Sequence, residues 1–322
     1  MGVSFLTPVA ALFGVLAVVP LAVFAGRRRR AAQVRRTLRL EQLATRPWGI
    51  LALCLAAVPV LVGVAAAQPV ITSARTVPQR SDAEVFIVLD TSRSMLASSS
   101  SGDPTRFERA RDAALALQAE LPGIPVGIAS LTDRVLPHLF PTVDQRVFGE
   151  TMREAVGIER PPPSTSFGTN VTTLDALGAV PTLNFFTPRA KRRALVVFTD
   201  GESQPVTSVL STDFARTPRV DVTLVRVGDA SERIYESGVA EAGYEPDPAA
   251  AAAAALATAA TLTRGVVVEE GQVGEVAAGV REALATGPTV DRRIEGNRQA
   301  LMPYVALLAI LPLGLVLYRR NL

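Results

Sequence analysis

The chain has 322 residues, of which 48% are hydrophobic, 20% charged and only 5% aromatic, too apolar a mixture for an ordinary soluble protein. One cysteine and one histidine exclude a disulfide framework and a Cys/His zinc set. The formal charge of +3 and pI near 9.5 point toward nucleic acid only until the charge is located, because most of the basic excess sits in one short segment.

From the N-terminus, residues 1–25 read as a first transmembrane helix, 26–47 as an Arg-rich cytoplasmic loop and 48–68 as a second transmembrane helix. A third such helix is expected at 301–318, before a cytoplasmic tail at 319–322. No basic residue precedes Phe5, as a secretory signal peptide would require. Arg27, Arg28, Arg29, Arg30, Arg35, Arg36, Arg39 and Arg46 face the single acid Glu41, whereas the flank up to Arg80 has only Arg75 and Arg80. The positive-inside tendency then predicts a multi-pass cell-membrane protein in contact with the lipid bilayer, its middle region extracytoplasmic. That region is left with a charge of about −6, which excludes nucleic acid as a partner.

Residues 69–80 and 288–300 read as linkers around a domain at 81–287. The apolar run at 85–89 predicts a buried strand. It is followed by a helix opened by the capping-box pair Thr105 and Glu108, with Phe107, Ala110, Ala114, Leu117 and Leu121 on one face. Residues 126–131 predict a strand, Phe148, Met152 and Val156 a helix, and Val171, Leu174 and Leu177 another after a proline-rich loop. Three buried strands follow, in 192–199, 220–229 and 264–271. A helix with Asp247 as N-cap and Pro248 in its first turn lies between the last two, and a helix carrying Val273, Val276, Val280 and Leu284 closes the domain. His138 lies in an edge-like segment, which favours a structural role. Such alternation predicts an α/β, Rossmann-like domain with a mostly parallel sheet flanked by helices.

In open sheets of this kind, ligands bind beyond the carboxyl ends of the strands. Asp90, Ser92 and Ser94 follow the first strand there, and Asp200 follows another. Thr169 stands ahead of an apolar helix face, with Thr165, Thr172 and Thr173 nearby. Two carboxylates and three hydroxyls form a hard oxygen set suited to Mg²⁺ or Mn²⁺ and poor for zinc. Glu202 reads as a local cap and residues 98–101 as a solvated loop.

The ordered segments "DTSRS", "GTN" and "FTDGE" resemble the metal-ion-dependent adhesion site of von Willebrand factor A (VWA) domains. With apolar segments at both ends, the layout is similar to bacterial membrane proteins of the Bat (aerotolerance-associated) type. The resemblance implies a module that binds a protein partner through the metal, rather than an enzyme. It also implies an association with other VWA membrane proteins and MoxR-type AAA+ ATPases. The expected partner is an unidentified protein whose Asp or Glu completes the coordination sphere. Two alternatives are a Mg²⁺-dependent phosphohydrolase with Asp90 as nucleophile and a membrane-complex scaffold with a vestigial site. The first is weakened by Ser92, where dehalogenase-like enzymes place a second aspartate.

Overall fold

The computed structural model describes residues 2–38, 49–160, 162 and 172–320. The chain forms two compact units, one of Val77–Arg292 and one of Met1–Thr76 with Arg293–Leu322.

In the first of these, the elements run β1 (Ala83–Asp90), α1 (Arg106–Ala119), β2 (Val126–Leu131), β3 (Val135–Thr142) and α2 (Gln145–Glu154). They continue with β4 (Arg192–Thr199), α3 (Val209–Phe214), β5 (Val220–Arg226), α4 (Ala249–Thr263), β6 (Val266–Glu269) and α5 (Val273–Leu284). The six strands form one sheet in the order β6-β5-β4-β1-β2-β3, parallel except for the β2–β3 pair.

Strand β1 is buried along its whole length, and its alternation divides the core. Val85, Ile87 and Leu89 pack with Phe107, Ala110, Ala114 and Leu117 of α1, Phe148 and Met152 of α2, and Val276, Val280 and Leu284 of α5. Phe86 and Val88 pack on the opposite face with Leu174, Leu177, Leu210, Phe214 and Leu256. Each fully buried side chain of this size contributes roughly 1.5–3 kcal/mol. Gly127 on β2 admits the Phe86 ring: a Cβ there would fall 2.6 Å from its Cε1.

The capping box of α1 forms as expected, with the Glu108 backbone amide donating to the Thr105 hydroxyl and the Thr105 amide to Glu108 Oε2. His138 lies on the edge strand β3, its Nε2 2.8 Å from Ser130 Oγ. Three local expectations change. Pro248, not Asp247, is the N-cap of α4, and no side chain caps it. Strand β6 is the opposite sheet edge, with Val266 and Val267 exposed, because only β5 pairs with it. After the proline-rich segment, Leu174–Gly178 is a 3₁₀ turn leading into a one-turn helix, Ala179–Thr182. Val171 lies outside the described residues.

The second unit departs further from expectation. Residues 2–5 form a strand, Gly2–Phe5, paired antiparallel with Pro69–Arg80. Thr289–Ala300 extends that sheet, so both expected linkers are strands. Helical structure begins at Pro8–Ala17 as a 3₁₀ helix. It continues as Val18–Thr37 through the first arginines, where a loop was expected.

By length and composition, one helix among the described residues can cross a membrane, Pro8–Val34, rather than three. The apolar helical stretches Ala52–Ala66 and Met302–Tyr318 are shorter, because strands take over the chain just beyond Ala66 and just before Met302. At 1.5 Å per residue they fall short of a ~30 Å hydrocarbon layer. The helix Gly49–Ala66 packs on Pro8–Ala17 with no room for side chains at the crossing: a Cβ on Gly63 would lie 2.5 Å from the Gly14 nitrogen. Small residues serve this purpose between helices in lipid.

Candidate metal centre

Strands β1 and β4 are parallel neighbours, with Leu89 opposite Phe198, so the residues that follow them emerge side by side. This register brings Asp90 and Asp200 together at the carboxyl end of the sheet. Asp90 is fully buried and Asp200 nearly so. The backbone amide of Ser92 donates to Asp90 Oδ1 at 2.9 Å, and that of Glu202 to Asp200 Oδ1 at 3.0 Å, so each aspartate organises the loop it begins. Ser92 Oγ and Ser94 Oγ are 3.0 Å apart, and the Ser94 hydroxyl favours the charged form of Asp200.

Two threonines complete the surroundings of Asp90. Thr199 donates to its Oδ2 at 2.6 Å, and the Thr172 hydroxyl lies 3.2 and 3.3 Å from its two oxygens. Thr172 is held there by backbone bonds on both sides: its carbonyl accepts from Gln204 at 3.0 Å, and the Thr173 amide donates to Thr132 at 3.0 Å. Thr169 lies outside the described residues, so Thr172 is the described threonine of that segment that reaches Asp90.

Gly201 explains why a glycine follows Asp200. Its φ is +83°, and a Cβ would stand 2.9 Å from the Ala252 carbonyl oxygen and 3.0 Å from Leu256 Cγ.

Arg106, the first residue of α1, lies beside these groups and is buried. It donates to Asp200 Oδ2 at 2.9 Å, Glu202 Oε1 at 2.8 Å, Glu232 Oε2 at 2.7 Å and the Asp229 carbonyl at 2.8 Å. Sequence reasoning missed it, since an arginine inside a helical pattern reads as a solvated face. Glu202, expected as a cap, is instead a partner of Arg106 and of the Tyr244 hydroxyl at 2.8 Å. Ser98, expected in a solvated loop, is buried and bridged to Arg233. Between Ser92 and Ser94, Arg93 makes a two-pronged pair with Glu241 at 2.9 and 2.8 Å.

Burial, and then the facing charge of Asp200, push the Asp90 carboxyl up to about 7. Asp200 is raised as well, by burial, with Arg106 opposing the rise. Burial works against the charge of Arg106, but Asp200, Glu202 and Glu232 outweigh it and hold the guanidinium firmly protonated.

Among the described residues, no group of three or more His, Cys, Asp or Glu side chains converges as a metal cage. The donor chemistry nevertheless fits a hard divalent cation. Two buried carboxylates face each other among neutral hydroxyls, and an ion there would relieve the repulsion that raises Asp90.

A largely parallel sheet between two helical layers, with an aspartate-and-serine loop leaving one central strand and a second aspartate leaving its neighbour, is the arrangement of von Willebrand factor type A folds. Residues 85–202 match that family, described as the von Willebrand factor type A domain. Among solved structures the chain is similar to the conserved hypothetical protein BatB from Bacteroides thetaiotaomicron. The identity is 21%, covering 62% of this chain and 98% of that one, with a TM-score of 0.50. It is also similar to an aerotolerance-related membrane protein from Bacteroides fragilis, at 20% identity over 63% and 98% of the two chains and a TM-score of 0.49. A more distant likeness is to proximal thread matrix protein 1 of the mussel byssus with a zinc-occupied MIDAS motif, at 12% identity over 79% and 56% and a TM-score of 0.43. At these identities the likeness is one of fold. No curated protein matches the chain.

Proposed function

We propose that this protein is a membrane-anchored VWA module of the Bat type that binds a protein partner through Mg²⁺ or Mn²⁺. The ligand oxygens come from Asp90, Ser92, Ser94 and Asp200, with Thr169 as the fifth ligand. The observation that carries this reading is the pair of buried, facing carboxylates on adjacent strand ends, each bordered by hydroxyls. When bound, a divalent ion supplies an electrophilic position that a partner's carboxylate can fill.

The chain's own residues do the rest. Asp90 supplies the buried charge, held by the Ser92 amide and the Thr199 and Thr172 hydroxyls. Ser92 and Ser94 present neutral oxygens, which leave the positive charge of an ion largely unspent. Asp200, already shared with Arg106 and Ser94, contributes less than a full negative charge. The middle region between the apolar segments, at about −6, repels acidic surfaces that fail to reach the ion.

Anchoring is assigned to the apolar helix that begins at Pro8, with Arg27, Arg28, Arg29 and Arg30 on the cytoplasmic side. In this topology the short helix Gly49–Ala66, 18 residues long, crosses back where the bilayer thins around it, and the VWA domain lies outside the cytoplasm. The Bat-type resemblance of the sequence motifs implies other VWA membrane proteins and a MoxR-type ATPase as members of the same system.

Affinity capture from detergent-solubilised membranes, run with Mg²⁺ and with EDTA, tests the reading. Proteins retained with Mg²⁺, released by EDTA and absent from an Asp90→Ala capture are the expected partners. Identical captures in all three would set it aside.

A further inference from the structure

Arg106 has surroundings that a helix-surface arginine does not have. Its side chain is 3% exposed and meets three carboxylates. Its seat is shaped for it, since Gly228 has a φ of +93° and a Cβ there would collide with Arg106 Nε. The backbone amide of Arg106 is tied to the Ala97 carbonyl at 2.8 Å, which fixes the start of α1 against the serine loop. A cavity of about 90 Å³ lies alongside, lined by Arg106, Asp200, Glu202, Gly228, Asp229 and Asp247 among others, with room for a few waters.

We propose that Arg106 is the internal counter-cation of the metal site, a positioning residue that competes with the divalent ion for Asp200. This inference rests on the metal-binding reading above. One oxygen of Asp200, Oδ2, is committed to the guanidinium at 2.9 Å, and Oδ1 accepts from the Glu202 amide. Asp200 therefore meets an ion as half of a neutral pair, and Asp90 acts as the principal anion. The arrangement gives up metal affinity and gains electrophilicity, which a carboxylate-seeking site needs. Glu232 and Glu202 set the strength of the competition, because each shares the same guanidinium.

The competition has a signature that a merely structural arginine lacks. Removing the guanidinium frees Asp200 and should tighten metal binding, whereas removing a rival acceptor concentrates Arg106 on Asp200 and should weaken it. The test uses the full chain in lipid nanodiscs, with Mn²⁺ binding followed by the electron paramagnetic resonance of free Mn²⁺ and acetate as the carboxylate probe. For Arg106→Gln the expected result is Mn²⁺ binding at least ten-fold tighter, with weaker Mn²⁺-dependent retention of acetate. For Glu232→Gln it is Mn²⁺ binding several-fold weaker. Should Arg106→Gln fail to fold, the pair Glu232→Gln and Glu202→Gln carries the test, since both changes must weaken binding. Unchanged or oppositely shifted affinities in folded variants overturn the role of Arg106 alone. Absence of Mn²⁺ uptake by the wild-type chain overturns the metal-binding reading, and this inference with it.

Discussion

The hydroxyl of Thr199 lies 2.6 Å from Asp90 Oδ2, so the residue just before one candidate ligand fixes the orientation of the other. The Thr199 hydroxyl oxygen in turn accepts from the Gly201 amide at 3.2 Å, which ties the turn containing Asp200 to this bond. Thr199 is thus a strut between two loops 109 residues apart in sequence.

Replacing it tests the strut. Thr199→Val keeps the shape and removes the hydroxyl, and should lower stability by roughly 1.5–3 kcal/mol, the range for hydrogen bonds to charged groups. Mg²⁺ affinity should fall as well, because Asp90 loses a donor that favours its charged form. Urea unfolding and calorimetry on the same sample measure both. A variant as stable as wild type would mean that water replaces the hydroxyl.

The pH dependence follows from Asp90, whose carboxyl is raised from 3.8 to about 7 in the folded protein. Between those values the folded state holds a proton that the unfolded state has released, so this group's contribution to stability falls as pH rises from about 4 to 7. Without divalent ions, therefore, the domain should lose stability over that window, and Asp90→Asn should flatten the slope. Saturating Mg²⁺ should reduce the loss by favouring the charged form. Mg²⁺ uptake at pH 6 should release a proton, and uptake at pH 8.5 should release almost none. Calorimetry in buffers of different ionisation enthalpy reads this directly.

Gly201 allows a sharper local test. Gly201→Ala asks a side chain to adopt a φ of +83° against the Ala252 carbonyl, at a cost of about 1–3 kcal/mol. The turn that presents Asp200 should shift, and metal affinity should fall more than stability does. Thermal melts with and without Mg²⁺ separate the two, since the wild type should gain more from the ion than the variant.

Topology is decided by how many apolar helices cross. In a cysteine-free background, Cys54→Ser, a cysteine placed at Ser99 should react with a membrane-impermeant maleimide in intact cells, and one at Ala32 should not. Protection at both positions would show that only the N-terminal helix crosses, with domain and arginines together in the cytoplasm, where an AAA+ ATPase could reach the domain directly.

Much of this was legible in the sequence because local rules carry it. The β-branched run before Asp90, the Thr105/Glu108 box and the helical spacing of Phe107, Ala110, Ala114 and Leu117 report elements whose cause lies within a few residues. The order of the aspartate-and-serine loop and the "TDGE" turn placed Asp90 and Asp200 at strand ends that the fold makes neighbours. Membrane crossing was overcounted for the same reason: apolar runs show hydrophobicity, whereas the length of a helix depends on where strands take over, as they do beyond Ala66 and before Met302.

Pairing across the fold was not legible. The register of β1 against β4 sets Asp90 beside Asp200, and the seat at Gly228 draws Arg106 inward. The same packing turns Thr199, which reads in sequence as the last residue of a strand, into a donor to Asp90. Sequence alone determined which residues can bear charge and which stretches around Asp90 and Arg106 form strand or helix. Only the tertiary structure decided which charges meet, because burial and low dielectric, which make the contacts of Asp90 and Arg106 strong, exist only once distant segments have excluded water together.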